Sequence, residues 1–128
     1  MSSESRQQTA RTIFVALALS PLEWASSTSD LGDLAQSLDL PIILVVGMKL
    51  GCINHALLTA QAIAARGLTL VGWVANCAQE EMAHLSENVA ALRERITAPL
   101  LGSIPFMEKP SAAAAAAHLD LALVLNQL

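Results

Sequence analysis

Aromatic residues are scarce in this chain of 128 residues, at 3 % of the total with no tyrosine. Charged residues make up only 14 %, and the net charge is −4. A nucleic-acid surface needs a basic stripe for phosphates, and none is present, so the composition argues against that partner. Cysteine is limited to Cys52 and Cys77, with no CxxC or Cys/His ligand spacing. That argues against a disulfide framework or a zinc site and fits a reducing cytoplasm. Long hydrophobic runs are missing too. The longest, Pro41 to Met48, falls far short of the roughly 20 residues that span a bilayer. Thr12 to Leu22 is largely apolar and follows Arg6 and Arg11, which leaves two readings. One is a signal peptide; the other is a strand, or a stretch with no evolved structural role. A polar start carrying Glu4, with no clear small-x-small site leading into a mature secreted pattern, favours the second.

What is present is an apolar majority, 54 % of the residues, enough for the core of one domain or part of one. Residues 1–11 are polar and expected to be disordered. Thr12 to Leu19 suits a strand, and the Ser/Thr cluster within Pro21 to Ser29 suits a loop. Asp30 is a good N-cap for a helix over Leu31 to Leu38. Pro41 opens a second strand, Ile42 to Val46, whose unbroken apolar character predicts burial on both faces, as in a parallel sheet. A helix from about Asn54 to Arg66 follows, with Gly67 at the expected left-handed C-terminal cap. Leu68 to Ala75 reads as the third strand, where Gly72 would admit a close neighbour. Gln79 to Ile96 reads as one helix with a stripe of Met82, Leu85, Val89, Leu92 and Ile96. Its acidic first turn and basic last turn suit the helix dipole. Leu100 to Ile104 is a short strand, and a final helix is expected from Ser111 to Asn126, helped by six alanines. The alternation of strands and helices predicts an α/β fold, a parallel sheet with flanking helices and right-handed crossovers. No internal repeat is evident.

The most informative segment is Leu40 to Gln61, a strand, a short loop and a helix start. α/β proteins bind small ligands at such units. Gly51, Cys52, Ile53 and Asn54 lie where helix N–H groups are free to meet an anion. Asn54 would add a side-chain contact or simply cap the helix, and capping is the better-founded role. His55 has no carboxylate partner nearby in sequence, so a structural place suits it better than general-base work. Lys49 would meet an anion or stay solvated, and Cys52 suits packing. Asn76 ends a strand at the ligand edge, as a contact residue or as an Asx turn. Pro105, Phe106 and Met107 follow the next strand, as a clamp for a flat ring or as hydrophobic cover. No phosphate-loop pattern GxxxxGK followed by Ser or Thr occurs, nor GxGxxG, nor a nucleophile elbow.

Six strings carry a family resemblance: LPIILVVG at 40–47, KLGCINHA at 49–56, LTAQ at 58–61, GLTL at 67–70, GWVAN at 72–76 and APLLGSIP at 98–105. Together they resemble dethiobiotin synthetase, the ATP-dependent ligase of biotin biosynthesis. The likeness runs in register from about Asp30 to Ile104 and more weakly to the end. It implies a domain over 30–128 that is the C-terminal half of a P-loop-NTPase-like fold, behind a divergent, poorly ordered segment over 1–29. In that family 7,8-diaminopelargonate takes up carbon dioxide as a carbamate. ATP phosphorylates the carbamate, and the second amine closes the ureido ring. Magnesium and a phosphate loop hold the ATP phosphates. By the resemblance, Gly51, Cys52, Ile53 and Asn54 would receive the substrate's distal carboxylate across a homodimer interface. Asn76 matches an asparagine that reads adenine, and Pro105, Phe106 and Met107 match the adenine platform.

The departures fall on the reactive end. The family's phosphate loop, catalytic lysine and magnesium aspartate belong to a part with no counterpart here. Where its Glu-Gly-Ala-Gly-Gly segment should fall, this chain has Ala16-Leu17-Ala18-Leu19-Ser20, and the family's aspartate after the adenine asparagine is Cys77. A glutamate expected near Ser111 is not there. The resulting expectation is a cytoplasmic member of the biotin pathway that keeps the adenine and carboxylate contacts. ATP and magnesium are implied by the family, but this chain offers no catalytic residue and no magnesium ligand, and it would be inactive alone. The alternatives are a non-catalytic dimerisation or binding module, paired with itself or a full-length paralogue, and a truncated gene fragment.

Overall fold

The computed structural model describes residues 14–17, 36–37, 39–77 and 79–125. Four parallel strands form one sheet in the order β1-β2-β3-β4: β1 Phe14–Leu17, β2 Ile42–Gly47, β3 Leu70–Asn76 and β4 Leu100–Ile104. Between and after them run α1 Cys52–Ala65, α2 Leu85–Arg95, α3 Ala112–Ala116 and α4 Ala122–Leu125. The α/β class and the parallel sheet are those the alternating pattern predicted. β1 lies inside the stretch expected as strand at 12–19, and it pairs from Phe14 opposite Ile42 to Leu17 opposite Val45. Of the helix expected over 31–38, only Gln36 and Ser37 are described, and both are helical. The tail at 1–11, the loop at 21–29 and the cap at Asp30 lie outside the described residues.

β2 shows why its sequence carries no polar positions. Leu44 and Val46 join a core with Cys52 and Ala56 of α1 and Leu92 of α2. Ile43 and Val45 face the other side, toward Val71, Val74, Leu101 and Val124. A strand covered on both faces must be apolar throughout. In β3 the alternation slips once: Ile42 pairs with Leu70, but Ile43 pairs with Gly72. The extra residue is a bulge that puts Val71 and the Cβ position of Gly72 on one face. A Cβ at Gly72 would lie 2.8 Å from the Leu101 side chain. Leu101 is thus the close neighbour that the glycine admits.

α1 buries Cys52, Ala56, Thr59 and Ile63, a stripe at helical spacing. The Thr59 hydroxyl, fully buried, donates to the His55 carbonyl at 2.7 Å and so keeps its polar atom satisfied. The helix closes as the sequence suggests. Gly67 takes φ +74°, its N–H reaches the Ala64 carbonyl at 3.0 Å, and the Leu68 N–H reaches Ile63 at 3.2 Å.

Two helices depart from expectation. α2 begins at Leu85 rather than Gln79, because His84 adopts φ +58° and ends any helical path before it. Glu80 and Glu81 therefore lie outside the helix, and Glu87 is the acidic residue of its first turn. The Met82 to Ile96 stripe still packs on the core, with Met82 reaching it from the preceding loop. The helix expected over 111–126 is broken into α3 and α4. Ser111 caps α3 by accepting the Ala114 N–H at 3.1 Å, yet α3 buries no residue. After it, the Asp120 N–H donates to the Leu101 carbonyl at 2.8 Å, and the Asp120 carboxylate accepts the Ala122 N–H at 3.2 Å. This break turns Val124 into the core at 1 % exposure. Burying such a side chain contributes about 1.5–3 kcal/mol, more than continuing an exposed alanine helix would.

Candidate functional site at the C-terminal edge of the sheet

β2, β3 and β4 end side by side. Gly47 lies opposite Asn76, and Asn76 opposite Ile104. The Met48 N–H donates to the Asn76 carbonyl at 2.8 Å, and the Cys77 N–H donates to the Ile104 carbonyl at 2.9 Å. These bonds tie the three departing loops together at the edge where open α/β sheets bind ligands.

The loop after β2 is built to expose main chain. Met48 is buried at its base, while Lys49, Leu50 and Gly51 are exposed. Gly51 takes φ +87°, a value that side chains with a Cβ rarely adopt. That turn lets the Cys52 N–H reach the Lys49 carbonyl at 3.0 Å, and α1 starts there. Gly51, not Asn54, is the N-cap, and no side chain caps the helix. Asn54 sits within the first turn and is exposed, so the capping role read from the sequence is corrected. The first helical bond runs from the His55 N–H to the Gly51 carbonyl at 3.4 Å. The N–H groups of Ile53 and Asn54 have no main-chain acceptor among the described residues, as the first turn of a helix requires. They stand at the positive end of the helix dipole, where an anion is favoured. The Cys52 side chain is buried in the core, so only its main chain takes part in this surface. His55 is half-buried, and its Nδ1 is enclosed without a hydrogen-bond partner among the described residues.

The neighbouring loops form a cavity of about 260 Å³ lined by Asn76, Cys77, Ile104, Pro105, Phe106, Met107 and Pro110. Asn76, at the end of β3, and Pro105, Phe106 and Met107, which follow β4, line this one space. Apolar walls with a single amide suit a flat, mostly apolar ring that also carries hydrogen-bonding edges. Phe106 is 40 % exposed, so an aromatic face is available at the mouth. Burial pushes the Cys77 thiol above its ordinary value, which keeps it a neutral thiol at this wall. Ile104 and Pro110 also line the cavity without having been singled out. As the last residue of β4, Ile104 could have been found from the strand end, but nothing local marks Pro110. Among the described residues, no three His, Cys, Asp or Glu side chains gather as a metal ligand set.

A family model described as AAA domain matches residues 4–114. It covers β1 and much of the segment expected to be divergent. Over 101 residues the chain is 57 % identical to the ATP-dependent dethiobiotin synthetase BioD of Janthinobacterium sp. (strain Marseille), a match covering 79 % of this chain and 43 % of that protein. It is 58 % identical over 96 residues to the protein of that name from Cellvibrio japonicus (strain Ueda107), covering 75 % and 42 %. Against that of Pseudomonas aeruginosa (strain LESB58) it is 58 % identical over 92 residues, covering 72 % and 40 %. The chain thus matches less than half the length of each of these relatives.

Proposed function

The chain belongs to the AAA-domain family, on its dethiobiotin synthetase branch, and from that premise we propose that it supplies two contacts of an ATP-dependent ring closure. One holds adenine, at Asn76, Pro105, Phe106 and Met107. The other holds the distal carboxylate of 7,8-diaminopelargonate at the turn Gly51, Cys52, Ile53 and Asn54, through the main-chain N–H groups of Ile53 and Asn54. The supporting observation is that the four adenine residues line a single cavity, one strand away from the open N–H groups of α1. Neighbouring strands are about 4.8 Å apart, so the two contacts lie on one edge.

Each contact has a plain physical basis. Phe106 offers a face for a base to stack on, and the Asn76 amide can both donate and accept on its edge. At the other contact, two unshared N–H groups and the helix dipole favour a carboxylate. Phosphoryl transfer asks for more, namely donors and a metal that neutralise charge on the phosphoryl oxygens. No phosphate-loop pattern occurs in the 128 residues. Losing even one such donor costs about 10²–10³ in rate. The chain alone is therefore a binding half without turnover. A cytoplasmic place follows from the biosynthetic role. No helix among the described residues is long and apolar enough to cross a membrane.

Exposed leucines on this loop and on α1 suggest the partner. Leu50 is 99 % exposed and Leu58 49 % exposed. Apolar side chains left open beside a binding turn mark a contact surface, and a second copy of this chain is the partner we assign, with a full-length paralogue as the alternative.

The test is calorimetric titration of the purified chain with a non-hydrolysable ATP analogue, beside a turnover assay with diaminopelargonate, bicarbonate, magnesium and ATP. Binding without turnover is expected. Base–aromatic stacking of about 1–3 kcal/mol means that Phe106→Ala should weaken binding roughly fivefold to hundredfold. Unchanged affinity in that variant would remove adenine from the cavity, and dethiobiotin formation would overturn the claim of a binding half.

A further inference from the structure

We draw no further inference here: the strongest candidate, the cleft of about 630 Å³ at the opposite edge of the sheet between the C-terminal ends of α1 and α2, lined by Ile63, Leu68, Thr69 and Arg95, has nothing in the structure to show what fills it.

Discussion

Gly51 holds φ at +87° with nothing within 4 Å of where a Cβ would stand. An alanine there meets only backbone strain, about 1–2 kcal/mol. Gly102 differs, because a Cβ would collide with the His118 carbonyl, which is main chain and cannot swing aside. Overpacking of this kind costs about 1–3 kcal/mol and should also lift the segment after α3 from the sheet. In urea unfolding, Gly102→Ala should therefore lose more stability than Gly51→Ala, and it alone should become sensitive to protease near residue 118. Equal losses and equal resistance would contradict the crossing at Gly102. Cys77 gives a residue-scale pH test. In the unfolded chain its thiol ionises at the ordinary value of 9.0, and burial raises the folded value above that. Stability linked to it is thus whole below pH 9 and falls as the pH rises through the folded value. Alkylation of Cys77 should accordingly climb at a higher pH than that of a free thiol. A labelling profile matching free cysteine would show the site to be open to water.

At the scale of elements, the end of the chain carries the clearest competition. Propensity favours one helix through the alanines, but α3 buries nothing, whereas α4 buries Val124 among Ile43, Val71, Val74 and Leu101. Tertiary burial outweighs a few exposed helical bonds. Val124→Ala should cost about 2 kcal/mol, from two buried carbons and the cavity they leave. A loss below about 0.5 kcal/mol in chemical denaturation would mean that α4 is not packed on the sheet. α2 shows the same competition at its start. The stripe from Met82 to Ile96 was legible as core, but its helical length was not. A left-handed residue such as His84 leaves no mark in hydrophobic spacing.

For the molecule as a whole, the outer face of α1 carries the prediction. Its inner face is settled by Cys52, Ala56, Thr59 and Ile63, while Leu58 faces outward and Leu50, in the loop before it, is exposed. If a second copy covers them, sedimentation should find a dimer, and the double variant Leu50→Glu, Leu58→Glu should sediment as a monomer with its fold intact by circular dichroism. A parent chain that is monomeric at high concentration would remove the second copy as the partner. Such a dimer would also bear on the proposed carboxylate contact, since the exposed turn at Lys49 to Gly51 precedes α1 directly.

The local chemistry of the sequence determined the parallel sheet, the all-apolar β2, the glycine cap at Gly67 and the strings of the dethiobiotin synthetase branch. These follow from short-range rules: alternation, burial on two faces, and backbone angles that glycine tolerates. Only the tertiary structure decided that Asn76, Pro105, Phe106 and Met107 share one cavity with Pro110, because strand ends far apart in sequence meet through sheet register. It also decided that Gly51 rather than Asn54 caps α1, and that Asp120 breaks the last helix to meet Leu101. Each of those choices depends on a hydrogen bond or contact that the local sequence pattern does not contain.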